Sequence, residues 1–149
     1  MSTNARQLVH RWFEEVWNQG REETIDELFA ADGITYGLGE MQDAIGPPGF
    51  KVFFRNLRGA FPDIHITIKD TVAEDDKVAL RVEITGTHSG NGLGIAPTGK
   101  KVSVQGICVI HAAGGKLVAG WNSWDQLGLL RQLNAIPAPR EDRFLTAKA

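Results

Sequence analysis

The residues best suited to chemistry stand at the end of the last extended segment of the chain. Residues 116–125 read KLVAGWNSWD, with the alternation of a β-strand. Alternation puts one set of side chains on a common face: Leu117, Ala119, Trp121, Ser123 and Asp125. This set carries the small apolar residues near the preceding turn. We therefore expect it to face a pocket, with Asp125 at the pocket end and Trp121 and Ser123 in the wall.

A carboxylate in an apolar pocket is suited to proton transfer. Burial without a cationic partner disfavours the charged form, and one such base beside a carbonyl can remove an α-proton. A nearby donor must then stabilise the enolate. The available donors are His88, Tyr36 and Gln105, so we predict Asp125 and His88 as catalytic and Tyr36 and Gln105 as substrate contacts. The alternative for Asp125 is a cap on the following helix, 126–133, since Asp is favoured at that position.

The faces of the sheet on which His88 and Gln105 lie depend on strand register. His88 continues the parity of Val78 and Leu80 and should look inward, provided that the strand has no bulge. The alternative is a satisfied structural histidine, which is the more common role of a lone histidine at the end of a strand. Gln105 lies in residues 101–111, where both parities are apolar, so a shift of one residue reverses its face. A segment apolar on both faces is typical of a sheet covered on both sides, which predicts a homodimer packed through the sheet.

Helical and strand periods divide the chain into two halves. Apolar residues recur at helical spacing near residues 8–17, 22–30 and 50–61, and alternate from residue 64 onward. Trp17 falls on the apolar side of the first helix and is assigned to the pocket wall. Helices followed by consecutive strands predict an α+β fold, with helices packed in the concave face of a curved, mostly antiparallel sheet that forms a cone. We expect one domain over residues 1–136 and a polar tail over 137–149.

Composition narrows the choice of partners. The net charge of −2 gives no electrostatic reason to expect nucleic acid or an anionic membrane. No run approaches the length of a membrane span, and the start has no apolar signal core, so a cytoplasmic location is expected. The four histidines show no metal-ligand spacing, and the glycine-rich residues 90–94 lack the context of a phosphate loop. We therefore expect neither a metal nor a nucleotide.

Four stretches carry a family resemblance. They are EEVWNQG (14–20) with ELFAAD (27–32); AFPD (60–63); GTHSG (86–90) with GIAPTGK (94–100); and GKLVAGWNSWD (115–125) with Gln132 and Leu133. In this order they resemble the SnoaL-like polyketide cyclases of the nuclear transport factor 2-like (cystatin-like) superfamily. The resemblance implies an α+β cone, a homodimer, no cofactor, and an aspartate at Asp125 that acts as general acid/base in an intramolecular aldol closure of a polyketide ester. It also matches His88 to the histidine of a GTH motif, and Tyr36 to a polar pocket position.

These observations favour a cofactor-free cyclase or isomerase acting on a small hydrophobic or aromatic carbonyl substrate. One enzymatic alternative is a ketosteroid-isomerase-like or epoxide-hydrolase-like reaction. Another alternative is a non-catalytic, dimeric ligand-binding protein. The cyclases can carry a histidine where this chain has Ser123, and that difference favours the binding protein.

Overall fold

The structure is a computed structural model that describes residues 4–39 and 43–137, so the predicted tail lies outside the described residues except for Pro137. The helices are α1 (Ala5–Arg11), which continues as a π-helical segment (Trp12–Asn18), α2 (Glu23–Leu28), α3 (Gly46–Ala60) and α4 (Gln126–Gln132). The strands are β1 (Phe29–Tyr36), β2 (Ala44–Ile45), β3 (His65–Glu74), β4 (Lys77–Thr87), β5 (Lys101–Ala113) and β6 (Lys116–Trp124). No described helix is long and apolar enough to cross a membrane.

The strands form one curved sheet in the order β2-β1-β6-β5-β4-β3. All neighbouring strands run antiparallel except β1 and β6, which are parallel. The helices pack against the concave face, and the predicted α+β class is confirmed. Strand β1 begins at Phe29, inside the segment 22–30 predicted to be helical, because the second helix ends at Leu28.

The concave side holds a core rich in aromatic residues. Helix α3 begins at Gly46, whose φ of +65° suits glycine, and Pro47 occupies its first turn. Its apolar side buries Phe50, Phe54 and Leu57. The ring of Phe50 lies edge-on to that of Trp12, with centroids 4.9 Å apart.

The π-helical segment explains how two tryptophans reach the same space. Trp12 and Trp17 are five positions apart in the chain, a spacing that diverges around an α-helix. A π-helix bonds residue i to i+5 and brings such a pair toward one side. Both residues are buried, and both face the interior of the cone.

A β-bulge in β6 reverses the predicted faces of its second half. Ala112 pairs with Leu117, but His111 pairs with Ala119, so Val118 is an extra residue in β6. The extra residue shifts the alternation by one position. Gly120 is buried, whereas Trp121 exposes 47% of its surface and Ser123 and Asp125 are also exposed. The predicted inward placement of Trp121 and Asp125 is therefore wrong, whereas Ser123 lines the inner cavity although it is exposed.

The structure shows which of the two apolar faces of β5 points inward. The even-numbered residues from Val102 to Ala112 are all buried, and the odd-numbered residues face outward. Gln105 pairs with Glu83 and is exposed, so its predicted place in the pocket is also wrong. Outward-facing Ile107 exposes 57% of its surface.

Candidate functional site

Two adjoining cavities occupy the space between the helices and the sheet. The inner cavity encloses about 100 Å³ and the outer cavity about 280 Å³. We call the residues that line both cavities the shared wall; they are Leu38, Phe53, Leu57 and Trp124. The shared wall makes the two cavities neighbouring parts of one candidate site.

The inner cavity is apolar on its helical side and mixed on its sheet side. Trp12 and Trp17 line it from the π-helical segment, so Trp17 stands in the wall as the sequence indicated. Gly120 and Cys108 line it from the sheet. Burial raises the pKa of the Cys108 thiol to about 12, which keeps the thiol neutral. Thus the inner cavity offers an uncharged, mostly apolar surface to a ligand.

Polar groups enter the inner cavity at a few points. Thr35 is buried and lines it from β1, and Asn122 lines it from the inward face of β6. The Asn122 Nδ2 donates to the carbonyl oxygen of Tyr36 at 3.0 Å, which ties β6 to the end of β1. Among the described residues, those that line the two cavities include no Asp, Glu or His.

Trp124 is the polar member of the shared wall. It is the last residue of β6 and pairs with Gly106 of β5. The Trp124 Nε1 is buried, and no acceptor among the described residues lies within hydrogen-bond reach of it. Buried indole N–H groups usually find a partner. A donor left free beside two cavities is therefore a candidate ligand contact.

Asp125 caps helix α4. Its Oδ1 accepts a hydrogen bond from the Gly128 N–H at 2.8 Å, and the residue is exposed. The alternative interpretation as a helix cap is thus confirmed. Asp125 does not line either cavity, but both of its chain neighbours, Trp124 and Gln126, line the outer cavity. Its carboxylate is therefore attached between two residues that line the outer cavity.

Tyr36 and Trp121 lie on the outer face of the sheet. They are paired across β1 and β6, and their rings stack there. Neither residue lines a cavity, so the pocket placement expected for both is wrong. The bulge accounts for Trp121, and Tyr36 points away from its buried neighbour Thr35 because side chains alternate along β1. Ser123 is exposed but borders the inner cavity.

His88 is fully buried, as its inward parity suggested, but it lies outside both cavities. Its Nδ1 accepts a hydrogen bond from the Thr98 N–H at 3.2 Å, and its Nε2 is buried with no partner among the described residues. Its backbone N–H and carbonyl bond Lys100 and Gly99, both at 2.8 Å. His88 therefore fastens the ends of the loop whose residues Gly92, Leu93 and Ile95 line the outer cavity.

Among the described residues, no cluster of three or more His, Cys, Asp or Glu side chains could hold a metal ion.

The pattern that defines the SnoaL-like polyketide cyclases matches residues 7–133. The chain belongs to this family. The match takes in every element of the cone from α1 to α4 apart from the first two residues of α1.

Two relatives in this family are aklanonic acid methyl ester cyclases. AcmA of Streptomyces galilaeus is 26% identical over 121 residues, which cover 80% of this chain and 83% of AcmA. DnrD of Streptomyces peucetius is 29% identical over 136 residues, which cover 89% of this chain and 92% of DnrD.

Solved structures share the fold over nearly the whole chain. AclR of Streptomyces galilaeus, provisionally assigned as a hydroxylase, superposes with a TM-score of 0.80 at 26% identity, covering 97% of this chain and 93% of AclR. IdmH of Streptomyces antibioticus, provisionally assigned as a polyketide cyclase, superposes with a TM-score of 0.76 at 27% identity. The match covers 89% of this chain and 99% of IdmH.

In this member of the SnoaL-like family, sequence reasoning missed the polar groups that do line the cavities. Thr35, Asn122 and Trp124 are not among the predicted pocket residues, because alternation counted without a bulge puts Asn122 and Trp124 on the outer face. One signal was available in the chain. Gly120 in the middle of a strand is a position where a bulge or a close approach is expected.

Proposed function

We propose that the chain is a cofactor-free polyketide-cyclase-like enzyme that closes a ring by intramolecular aldol addition on a small hydrophobic or aromatic carbonyl substrate. The observation that carries the proposal is the apolar double cavity, with isolated polar groups, in a chain of the cyclase family. AcmA and DnrD are named for cyclisation of a polyketide ester. A substrate of that class suits the cavities described above.

The cavity dimensions and surface support a flat, apolar substrate. The two volumes together reach the lower part of the range of roughly 300–1,000 Å³ typical of small-molecule sites. The rings of Trp17 and Phe53, which both line the inner cavity, lie 6.0 Å apart in an edge-to-face pair and present aromatic faces and edges. Burial of a ring system against such walls supplies affinity of about 25 cal/mol per Å² of apolar surface.

Asp125 is the general acid/base in this proposal. Its carboxylate removes a proton from the carbon between two carbonyl groups of the substrate. The enolate carbon attacks a ketone carbon of the same molecule, so a C–C bond forms and the C=O π bond opens. The new alkoxide oxygen then takes the proton back from the Asp125 carboxyl. The proton count is unchanged, and no redox partner is needed.

This role requires the carboxylate to turn from its cap toward the cavity mouth. The position between Trp124 and Gln126 supports such a turn, since both neighbours line the outer cavity. Loss of an N-cap costs about 0.5–2 kcal/mol. General acid/base catalysis contributes typically 10²–10⁴-fold, or roughly 3–5 kcal/mol. The gain therefore exceeds the cost of uncapping.

Two variants of Asp125 separate the cap from the chemistry. Asn caps about as well as Asp, so Asp125→Asn removes the base and keeps the cap, whereas Asp125→Ala removes both. We expect both variants to lower kcat for an aromatic polyketide methyl ester by roughly 10²–10⁴, and only Asp125→Ala to lower thermal stability. Asp75→Asn, at an exposed turn with positive φ, is the matched control and should be fully active. Undiminished turnover by Asp125→Asn would remove Asp125 from the mechanism.

A non-catalytic ligand-binding protein is the second candidate. The observation in its favour is that the described cavity-lining residues include no carboxylate or imidazole. Tryptophan fluorescence can follow binding of the same methyl ester, while chromatography follows its conversion. Saturable binding without any ring-closed product would select this second candidate.

We also infer that the chain forms a homodimer through the outer face of its sheet. The strand registers align one row across five strands, and this row is made of Val72, Ala79, Val109, Trp121 and Tyr36. Val72 and Trp121 expose 70% and 47% of their surfaces. A contiguous apolar row supports a self-complementary interface.

A further inference from the structure

We propose that the Trp124 indole N–H is the donor that selects ligands with a carbonyl oxygen at the shared wall. This inference rests on the proposed function, because it names the substrate feature that the same site recognises. The ligand class is a planar ring ketone or aromatic polyketide that carries a hydrogen-bond acceptor between its two apolar portions.

The indole N–H of Trp124 lacks a hydrogen-bond partner in the described part of the chain. Trp124 Nε1 is buried and has no acceptor among the described residues. Buried donors in native proteins are nearly always satisfied, since an unmet donor loses its bonds to water without replacement. Other atoms of Trp124 line both cavities, so a turn of the indole on ligand binding would bring the buried Nε1 to an acceptor on the ligand.

Backbone contacts on both sides hold Trp124 in place. Trp124 pairs with Gly106, and the next residue, Asp125, donates its N–H to the Gln105 carbonyl at 3.0 Å. Helix α4 then starts at once, with the Leu129 N–H bonded to the Asp125 carbonyl at 3.1 Å. A donor whose backbone is fixed in this way loses little backbone freedom when a ligand binds.

Gly106 leaves the room that the Trp124 side chain uses. A Cβ at position 106 would lie 3.2 Å from the Trp124 Cβ and 3.4 Å from the Val82 Cγ2. Asn122, the next inward residue along β6, already donates its amide N–H to Tyr36. That amide has a second N–H and Ser123 has a hydroxyl, but Trp124 is the buried donor of this strand that has no acceptor among the described residues.

The chemistry favours an oxygen that gains negative charge. A carbonyl oxygen bonded to the indole N–H becomes an enolate or alkoxide oxygen during ring closure, and a hydrogen bond to it strengthens as the charge grows. A hydrocarbon of the same shape leaves the N–H unpaired. Sites of this kind discriminate against ligands that lack the matching polar atom.

The test uses two ligands of the same shape, 9-fluorenone and fluorene, which differ by a carbonyl oxygen in place of CH₂. We expect the wild type to bind fluorenone more tightly, and Trp124→Phe to weaken fluorenone binding by roughly fivefold to tenfold while fluorene binding changes by less than about twofold. Trp121→Phe is the matched control, because this tryptophan of the same strand lies on the outer face. It should bind both ligands as the wild type does.

A spectroscopic signal gives an independent readout. The chain has four tryptophans, and the indole ¹H–¹⁵N signal that is lost in Trp124→Phe identifies Trp124. Fluorenone should shift this signal downfield, and fluorene should not. The proposal is overturned if neither ligand binds, if the wild type does not prefer fluorenone, if Trp124→Phe weakens both ligands equally, or if the signal does not respond to fluorenone.

Failure of this inference and failure of the proposed function give different results. Asp125→Asn should keep the fluorenone preference and the Trp124 signal shift, since its carboxylate is not the donor. If Asp125→Asn is fully active while Trp124 still selects fluorenone, the mechanism fails and the recognition stands. If Asp125→Asn is inactive while the selectivity is absent, the recognition fails and the mechanism stands.

Discussion

Tyr36 and Trp121 stack on the outer face of the sheet, with ring centroids 5.5 Å apart and planes inclined by 15°. The pair joins β1 to β6 at the only parallel step of the described sheet. Stacking fixes the Trp121 ring while leaving much of it exposed. A rigid, exposed aromatic ring is suited to an interface, since little side-chain freedom remains to be lost on association.

The dimer proposal predicts that a charge in the apolar row separates the subunits. Val109 pairs with Trp121 and lies in the middle strand of the row, so Val109→Lys would bury an unpaired ammonium group in the interface. Size-exclusion chromatography with light scattering should give a dimer for the wild type and a monomer for Val109→Lys. Val52→Lys, at an exposed valine of α3, should remain dimeric. A wild type that is monomeric at all concentrations would contradict the interface.

The buried thiol should resist labelling. A pKa of about 12 leaves about one Cys108 thiol in ten thousand ionised at pH 8, and the side chain is also inaccessible. We expect a disulfide reagent such as DTNB to label the folded protein at least roughly 100-fold more slowly than the chain unfolded in guanidinium. Cys108→Ser gives the blank, because the chain has one cysteine. Equal rates for the folded and unfolded chains would show that the inner cavity is open to solvent.

Glu15 should make stability fall in acid. Its carboxylate accepts hydrogen bonds from Arg11 at 2.6 Å and from the Thr24 hydroxyl at 2.9 Å. The Arg11 bond is the main cause that lowers the pKa of Glu15 below its usual 4.5. Since the folded pKa is the lower one, the stabilisation is fully present above pH 4.5 and is lost as the pH falls through the folded value.

Urea unfolding of the wild type and Glu15→Gln tests this pH dependence. At pH 7 the variant should be less stable by about 1–3 kcal/mol, because an amide cannot replace the bonds to Arg11. The difference should shrink as the pH drops below 4.5, the usual value for Glu15. Glu14→Gln, at an exposed neighbouring residue, should follow the wild-type curve. A Glu15→Gln deficit that stays constant with pH would exclude the ionised carboxylate as its source.

The loop that covers the outer cavity depends on close backbone contact with α3. A Cβ at Gly90 would lie 1.7 Å from the Gly59 carbonyl oxygen, whereas a Cβ at Gly59 meets nothing closer than 3.5 Å. We expect Gly90→Ala to lower the free energy of unfolding by about 1–3 kcal/mol. Gly59→Ala should be neutral or stabilising, because alanine favours a helix. Unchanged stability of Gly90→Ala in urea would show that the loop does not pack on α3 in solution.

Some features of the site were predictable from sequence because they depend on local periodicity. The apolar periodicity of the first helix predicted Trp17 in the wall, and the alternation before His88 predicted a buried ring. The cap at Asp125 was also predictable, since its signal lies within one helical turn. These inferences need no information about how strands pair.

Other features depend on pairing between distant segments. One extra residue, Val118, moves Trp121 and Asp125 outward and Trp124 inward, and the single chain does not reveal that the bulge is there. The face of Gln105 was fixed in the same way by its pairing with Glu83. The residues of the shared wall meet only when the helices close over the sheet, so no spacing along the chain indicates them.

The most direct test of the central claim, that ring closure occurs in the double cavity, is the kcat/KM of variants at Gly120. Gly120 lines the inner cavity, and an added Cβ would meet only the Asn122 Nδ2, at 3.9 Å. Larger side chains at this position therefore enter the cavity without disturbing the backbone. We predict near-normal kcat/KM for Gly120→Ala and a loss of roughly 100-fold or more for Gly120→Leu, with thermal unfolding unchanged or raised. Wild-type turnover by a folded Gly120→Leu would contradict the claim that the substrate occupies this cavity.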